Sequence, residues 1–490
     1  MQEKKFFGHP MGLMVLFLTE MWERFSYYGM RAILLLFLLD KTNGGMGLQE
    51  GEGGAIYGLY TFSVYLLSLP GGWLADNILG QRKAIWYGGI TIMVGHIVLA
   101  FPSTELVFFA GLALVAIGTG LLKPNISSIV SELYPEGGAR RDAAFSIFYV
   151  GINTGSFLGI LIVGYLGQKV GWHYGFGAAA VAMFFGLIVY RLYAQKLLGD
   201  KGLYKPVIKE SNALPTKMNP LTWVLLGVLI IFVITLQFNG TFTWNSKQAV
   251  ATSLGIIAIA IVIIYFANLL FASNLTKIEM KRVTILFVLF WGAVLFWAGF
   301  EQQGSSFQIF ADRHSELPFG MPSSWFQNFN PFYILVFAPI LGAFWVYLEK
   351  KQINPPLLVK FAIGLFLLGL GYLIMVWGAK IAVTGVKASA LVLTFTYLLH
   401  TLGEVCLSPV GLSAYTKLSP KKYISQLMGI WFVAAALGNL FAGLFAGNFD
   451  EENVQQMPQM FMSIAWFCFV VGGVIFILQK PLKNWMGGIK

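Results

Sequence analysis

Apolar runs of about 20 residues recur from one end of this chain to the other, and no other feature limits its fold as strongly. A helix rises about 1.5 Å per residue, so such a run bridges the roughly 30 Å of a hydrocarbon core. Inside that core every backbone N–H and C=O must be satisfied within the protein, which runs of this length achieve as helices. Read against charged and Pro/Gly breaks, the sequence holds roughly 14 spans. They lie near 11–39, 54–76, 83–101, 105–133, 142–167, 172–194, 221–239, 248–272, 282–302, 323–348, 356–378, 386–416, 423–447 and 458–479. With 57% hydrophobic and 11% charged residues, a soluble globule would have nowhere to bury this surface. The first run is too long and too charged for a cleavable signal peptide and is read as a mature helix. Cys406 and Cys468 fall inside apolar runs and read as small buried hydrophobes, not as a disulfide framework or a metal site.

The net charge of +11 would point to nucleic acid in a soluble protein; here its distribution is what informs. With a cytoplasmic N-terminus, 24 of the 33 basic residues fall in cytoplasmic segments, 6 outside and 3 within the membrane. Both termini are then cytoplasmic. The longest basic stretch, "RLYAQKLLGDKGLYKPVIKESNALPTKMNP", follows the sixth span. The expected fold is therefore an all-α polytopic membrane protein of 14 transmembrane helices. It has a six-helix bundle over 1–195, a basic linker with two additional helices over 196–280, and a second six-helix bundle over 281–490. "GTGLLKPNISS" in the fourth span and "TLGEVCLSPVGLS" in the twelfth each join a charge to a following proline, a weak internal echo of two related halves. Repeat-built transporters place their sites at such interrupted helices.

The stretch "EMWERFSYYG" at 20–29 sets charges in the middle of a span. At about 100° per residue, Glu20, Glu23, Arg24, Tyr27, Tyr28 and Arg31 share one stripe of a helix whose opposite face is apolar. Beyond the first span, the interior ionisable residues are Lys123, Glu301 and Glu404. Seven unpaired charges would cost on the order of 20 kcal/mol, so they pair or face a cavity. Counted from the cytoplasmic ends of their spans, Glu20, Glu23, Arg24, Lys123 and Glu404 lie roughly 13–20 Å deep, and Arg31 and Glu301 nearer 30 Å. This predicts a central cluster and a separate outer pair placed as an extracellular gate. Four carboxylates face three cations, so one proton neutralises the set, which motivates proton coupling. The competing structural reading is a set of ion pairs that fix helix register; ionisable residues within a membrane are functional by default. Asn153 lies at similar depth and reads either as a ligand donor or as a helix-helix hydrogen-bonder. His400, one turn before Glu404, reads as a structural hydrogen-bonder.

These motifs resemble the proton-coupled oligopeptide transporter family (POT/PTR) of the major facilitator superfamily, in its prokaryotic form. "EMWERFSYYG" resembles that family's ExxERFxYYG signature, "FYVGIN" with "TGS" its fifth-helix signature, and "GGWLADNILGQRK" the loop after its second helix. "KPN" at 123–125, "FEQQGSS" at 300–306, "NPFYI" at 330–334 and "GEVCLSPVG" at 403–411 extend the resemblance over both halves. The resemblance implies the major facilitator fold. It also implies proton coupling through Glu20, Glu23, Arg24 and Lys123, and an outer gate of Arg31 and Glu301. It further implies a peptide pocket drawn from Arg24, Tyr27, Tyr28, Arg31, Tyr65, Lys123, Asn153, Trp297, Asn330, Glu404 and Trp431. Some members carry a histidine in the second helix, where this chain has Gly58, which shifts the proton onto the carboxylates.

The function expected is symport of protons with di- and tripeptides, by alternating access in a prokaryotic inner membrane. Protons serve as the coupling ion and no cofactor is needed. The partners are peptides, protons and membrane lipid, without nucleic acid. The alternative within the same architecture is a transporter of another small solute, such as nitrate, an amino acid derivative or a drug. The five histidines, at 9, 96, 173, 314 and 400, lack metal-ligand spacing, and no phosphate-binding loop is present, which argues against an enzyme or an ATPase.

Overall fold

In the computed structural model, residues 5–102, 104–136, 138–203, 246–353, 355–447 and 451–487 are described. The expected span at 221–239 and much of the basic linker lie outside them. The chain opens with two short paired strands, β1 (Lys5–Phe6) and β2 (His9–Pro10), a small addition to the all-α expectation. Phe7 and Gly8 both take positive φ, the two-residue turn whose twist suits a hairpin. His9 Nδ1 lies 2.8 Å from the Tyr134 hydroxyl, which ties the hairpin down.

Helix α1 (Met11–Leu39) starts directly after Pro10, whose fixed φ suits a helix entry, and stops at Asp40 in extended backbone. The Asp40 carboxylate accepts from the backbone N–H groups of Thr42, Asn43 and Gly45, and from Trp172 Nε1 at 2.8 Å. A polar knot thus ends the helix and secures it to α7. The run expected as one span at 54–76 is interrupted: α2 (Glu50–Leu66) breaks at Leu67, α3 (Ser68–Leu74) follows, and a widened turn covers Ala75–Leu79. Pro70 brings no N–H to the carbonyl of Leu66, which loosens the ladder at the break. Next come α4 (Gln81–Ala100), α5 (Glu105–Glu132), α6 (Gly138–Tyr165) and α7 (Trp172–Leu197).

Beyond the linker run α8 (Lys247–Ala272) and α9 (Lys277–Phe300), which is capped by a reciprocal Thr276/Glu279 box. The span expected to end at 302 continues through a 3-10 turn, Glu301–Gly304, into α10 (Ser306–His314). Then follow α11 (Phe329–Lys350), α12 (Leu357–Val383), α13 (Ala390–Leu418), α14 (Ile424–Ala446) and α15 (Met457–Trp485). Among the described residues, eleven helical stretches are long and apolar enough to cross a membrane. Helix α1 has the length but carries the charges; the α2–α3 run has the apolarity but is broken.

The chain resolves into two compact units. The first takes the chain to Leu48, then Ser63 to the linker, and Leu317–Leu335; the second takes Gln49–Phe62, the chain from the linker to Glu316, and Val336 onward. In the first unit α1 packs on α6 and α7, and α4 on α5 and α7. In the second α9 packs on α14 and α15, and α12 on α13 and α15. The same order of pairing therefore recurs, which gives the weak internal echo of the sequence a structural meaning.

Candidate functional site

The first unit builds its charged cluster on α1. Helical spacing sets Glu20 and Arg24 one turn apart, and Arg24 Nε lies 3.0 Å from Glu20 Oε1 and also meets the Glu23 carboxylate. Glu20 and Arg24 are 2% exposed and Glu23 is 0% exposed, so the triad sits out of water. What holds α1 at this rotation is a glycine row on α6. A Cβ at Gly155 would lie 2.1 Å from the Met21 carbonyl oxygen, and one at Gly159 would lie 2.2 Å from that of Phe25. Backbone therefore rests on backbone at the level of the triad, as small residues four apart allow in a membrane. Gly186 of α7 takes the adjacent face at Trp22 and the Thr19 carbonyl. The charged stripe is left for α5, which brings Thr119 beside Glu23 and sets Lys123 to act through space on both carboxylates.

Lys123 is positioned in turn by a second close crossing. A Cβ at Gly71 would fall 2.1 Å from the Gly120 carbonyl oxygen, and one at Gly120 would fall 2.7 Å from that of Leu67. The α2–α3 break and α5 thus touch directly, and Lys123 Nζ comes to 4.3 Å from the Tyr65 ring centroid, a cation-π contact. The Arg24 guanidinium stands 5.2 Å from the Tyr27 ring and 5.8 Å from Tyr28, and that of Arg31 stands 5.6 Å from Tyr28. The two tyrosines therefore space two guanidinium groups along one helix.

Charge balances in this cluster but hydrogen bonding does not. Two carboxylates, Arg24 and Lys123 sum to zero when all are ionised. Yet Glu20 Oε2, Glu23 Oε1 and Arg24 Nη2 are buried without hydrogen-bond partners. A network serving only to fix helix register would be fully satisfied, because each orphaned buried polar atom costs stability. Asn153 is buried on α6, and its Nδ2 donates 2.9 Å to the Tyr149 carbonyl of its own helix, leaving its oxygen for other use. Asn330 is half-buried at the start of α11, followed by Pro331.

The second unit carries the remaining expected residues. Glu404 is half-buried on α13, five residues before Pro409. His400 is fully buried with Nε2 3.2 Å from the Leu368 carbonyl, between the rings of Phe307 and Tyr372, which is the structural role the sequence assigned it. Glu301, 4% exposed, opens the 3-10 turn. Gln302 ties that turn down by donating to the Ala298 carbonyl and accepting from Ser305 and Ser306. Trp431 lies over Gly411, where a Cβ would meet its ring at 2.0 Å, and packs on Tyr415. Trp297 is wedged against Gly438, and its Nε1 is buried without a hydrogen-bond partner. Thr119 and the two glycine crossings are absent from the expected site. The spacing of Gly151, Gly155 and Gly159 was the readable trace of one crossing.

Among the described residues no cluster of metal-ligating side chains occurs. The chain is 43% identical to the uncharacterized transporter YclF of Bacillus subtilis, covering 99% of this chain and 97% of that one. It is 38% identical to the peptide transporter YePEPT of Yersinia enterocolitica, over 99% and 96%. It is 37% identical to a di-/tripeptide transporter of Lactococcus lactis, over 100% and 99%. Among solved structures, a peptide transporter POT in complex with sulfate superposes with a TM-score of 0.87 at 38% identity, over 99% of this chain and 98% of that one. A POT family transporter in complex with 5-aminolevulinic acid gives 0.82 at 31%, over 98% of each chain. The fold is that of the major facilitator superfamily. The family model matches residues 82–467, which excludes α1, while the relatives align over the whole chain. On the family model, the relatives and the shared fold together, the chain belongs to the POT family.

Proposed function

We infer that this chain is a symporter that imports di- and tripeptides with protons by alternating access, its two six-helix bundles over 1–195 and 281–490 being the moving bodies. The observation that carries the reading is the buried triad of Glu20, Glu23 and Arg24 beside the half-buried Lys123, a set balanced in charge in which carboxylate and guanidinium atoms of the triad lack hydrogen bonds. A proton arriving on either carboxylate leaves that set with one positive charge in surplus. The freed cation, Lys123 or Arg24, then attracts a peptide carboxylate, so proton and peptide favour one another's binding. The second unit carries Glu301, buried, and Glu404, half-buried, and Glu404 is assigned to the peptide ammonium. Tyr27, Tyr28, Tyr65, Asn153, Trp297, Asn330 and Trp431 are assigned to the backbone and side chains of the substrate. Arg31 and Glu301 are assigned to the outer gate; exchanging their charges should restore more uptake than either neutral substitution alone. No catalytic chemistry or cofactor is invoked, and the basic-residue distribution supports a bacterial inner-membrane location with both termini in the cytoplasm.

The test is uptake of dialanine into proteoliposomes with and without an inward proton gradient. Gradient-driven accumulation above equilibrium, lost in Lys123→Ala and in Glu20→Gln, is the expected result. Uptake indifferent to the gradient would overturn the coupling. A second reading is favoured by the relative solved with 5-aminolevulinic acid, which carries an amine and a carboxylate without a peptide bond. If unlabelled dipeptides fail to compete with that compound, the amino acid derivative is the substrate.

A further inference from the structure

The second unit holds a cavity of about 740 Å³ lined by none of the residues assigned to transport. It opens where α8 ends, α9 begins and the α13–α14 connection passes, the end that the basic residues assign to the cytoplasm. Four cations line it, Arg282, Lys417, Lys421 and Lys422. Glu279 also lines it, but that carboxylate accepts from the Thr276 N–H at 2.9 Å and from its hydroxyl at 2.8 Å as half of the α9 capping box. Arg282 is held in place through Nε, which donates 3.0 Å to the Met486 carbonyl. The cavity is therefore strongly cationic, with its one acid already committed to a helix start.

Its floor is polar and structured. Tyr265 donates to Gln426, and Tyr423 donates to Ser273, so α8 is tied to the α14 side through the cavity wall. Asn268, on the same wall, has its side-chain oxygen buried without a hydrogen-bond partner. An ionised phosphodiester has no O–H of its own and would satisfy the cations while leaving that acceptor unmet; a phosphodiester that also bears a hydroxyl satisfies both. Helix α8 supplies the other half of a lipid. It is the most apolar of the eleven candidate spans, with only 22% of its window buried, and Phe271 beside the cavity is 82% exposed. An acyl chain has a continuous apolar face to follow from the cavity into the bilayer.

We propose that this cavity binds the headgroup of an anionic, hydroxyl-bearing phospholipid, such as phosphatidylglycerol. The lysines and Arg282 hold the phosphate, Asn268 accepts from the headgroup hydroxyl, and α8 carries the chains. Basic cavities between transmembrane helices at the cytoplasmic face bind acidic headgroups by this logic. The bound lipid bridges α8, α9 and the α13–α14 connection, so it assigns the additional helix a role: completing a lipid site for the second bundle.

Native mass spectrometry of the full chain with phosphatidylglycerol or phosphatidylcholine of matched chains tests this. Phosphatidylglycerol should be retained selectively. Lys417→Gln, Lys421→Gln and Lys422→Gln together should weaken it roughly a hundredfold, from about tenfold or less per lysine. The same number of charges removed at Lys83, Lys196 and Lys480, all exposed and outside the cavity, should weaken it only a few-fold. An equal loss in both triple variants would mean diffuse attraction and overturn the site. Asn268→Leu should reduce phosphatidylglycerol binding about tenfold and spare phosphatidic acid; equal effects on the two lipids would overturn the headgroup assignment. Displacement of the lipid by millimolar inorganic phosphate would show a free-anion site and overturn the lipid as its occupant.

Discussion

Replacing Arg24 by glutamine should strand two buried carboxylates, and the structure allows the consequence to be worked out. Arg24 is 2% exposed, and its Nε serves Glu20 at 3.0 Å and Glu23 as well. Without it the cluster holds two negative charges against Lys123 alone. Removing one partner of a buried ion pair costs about 3–5 kcal/mol, because the other charge is left uncompensated. At about 1 °C per kcal/mol for a chain of this length, the melting temperature in detergent should fall by roughly 3–5 °C. Arg24→Gln combined with Glu20→Gln leaves Glu23 facing Lys123, a balanced pair. The double variant should therefore melt above the Arg24→Gln single variant, a non-additive cycle of about 2–3 kcal/mol. Intrinsic tryptophan fluorescence during heating reads the melts, and proteoliposome uptake reads function, which both variants should lose. A double variant no more stable than Arg24→Gln would refute the account of the triad as a charge-balanced set, whatever happened to transport.

Gly155→Val should be among the most damaging single changes, since even a Cβ would sit 2.1 Å from the Met21 carbonyl oxygen; yield of monodisperse protein and uptake should both collapse, and near-normal behaviour would disprove the backbone contact. Asp40 lies beyond the end of α1. Burial pushes its carboxyl up, but hydrogen bonds from Thr42, Trp172 and Asn43 prevail and hold it below the usual carboxylate range. Because its folded-state value is depressed, the stability it contributes is present above about pH 4 and lost as pH falls through that lowered value. Asp40→Asn should then melt lower than wild type at pH 6, with the gap closing below pH 4. Arg313 Nη1 meets Glu50 Oε1 at 2.9 Å with side chains 25% and 16% exposed, so Arg313→Gln should cost no more than about 1 kcal/mol, and a larger loss would mean the pair is shielded far better than its exposure indicates.

Which of these features could be read before any coordinates followed from the physics that fixes each. Spans are legible because lipid leaves helices little choice, and the Glu20–Arg24 pairing because it is a one-turn relation within a single helix. Counting along helices also expected Lys123 at the level of the two carboxylates, on both of which it acts through space. The broken run at 54–76 was missed for a reason that hydropathy cannot cure: Leu67, Leu69 and Pro70 keep the window apolar while Pro70 withdraws a hydrogen bond. Thr119 left no trace because one hydroxyl in an apolar helix has no period.

The glycine crossings were missed differently, and they change how the site is understood. A glycine row is silent about which helix it meets, so Gly155 and Gly120 become meaningful only once α1 and the α2–α3 break are seen against them. Those contacts, not the charges, set the rotation of α1 and the reach of Lys123. Desolvation penalises a charged cluster wherever it sits, so attraction between the charges alone would not hold five helices in register. Backbone-to-backbone packing supplies the rigid frame, and the charges are left imperfectly satisfied within it. That division suits a transporter. A frame that does not depend on the ion pairs can tolerate their rearrangement when a proton or a substrate arrives. A frame held by those pairs would come apart with each cycle.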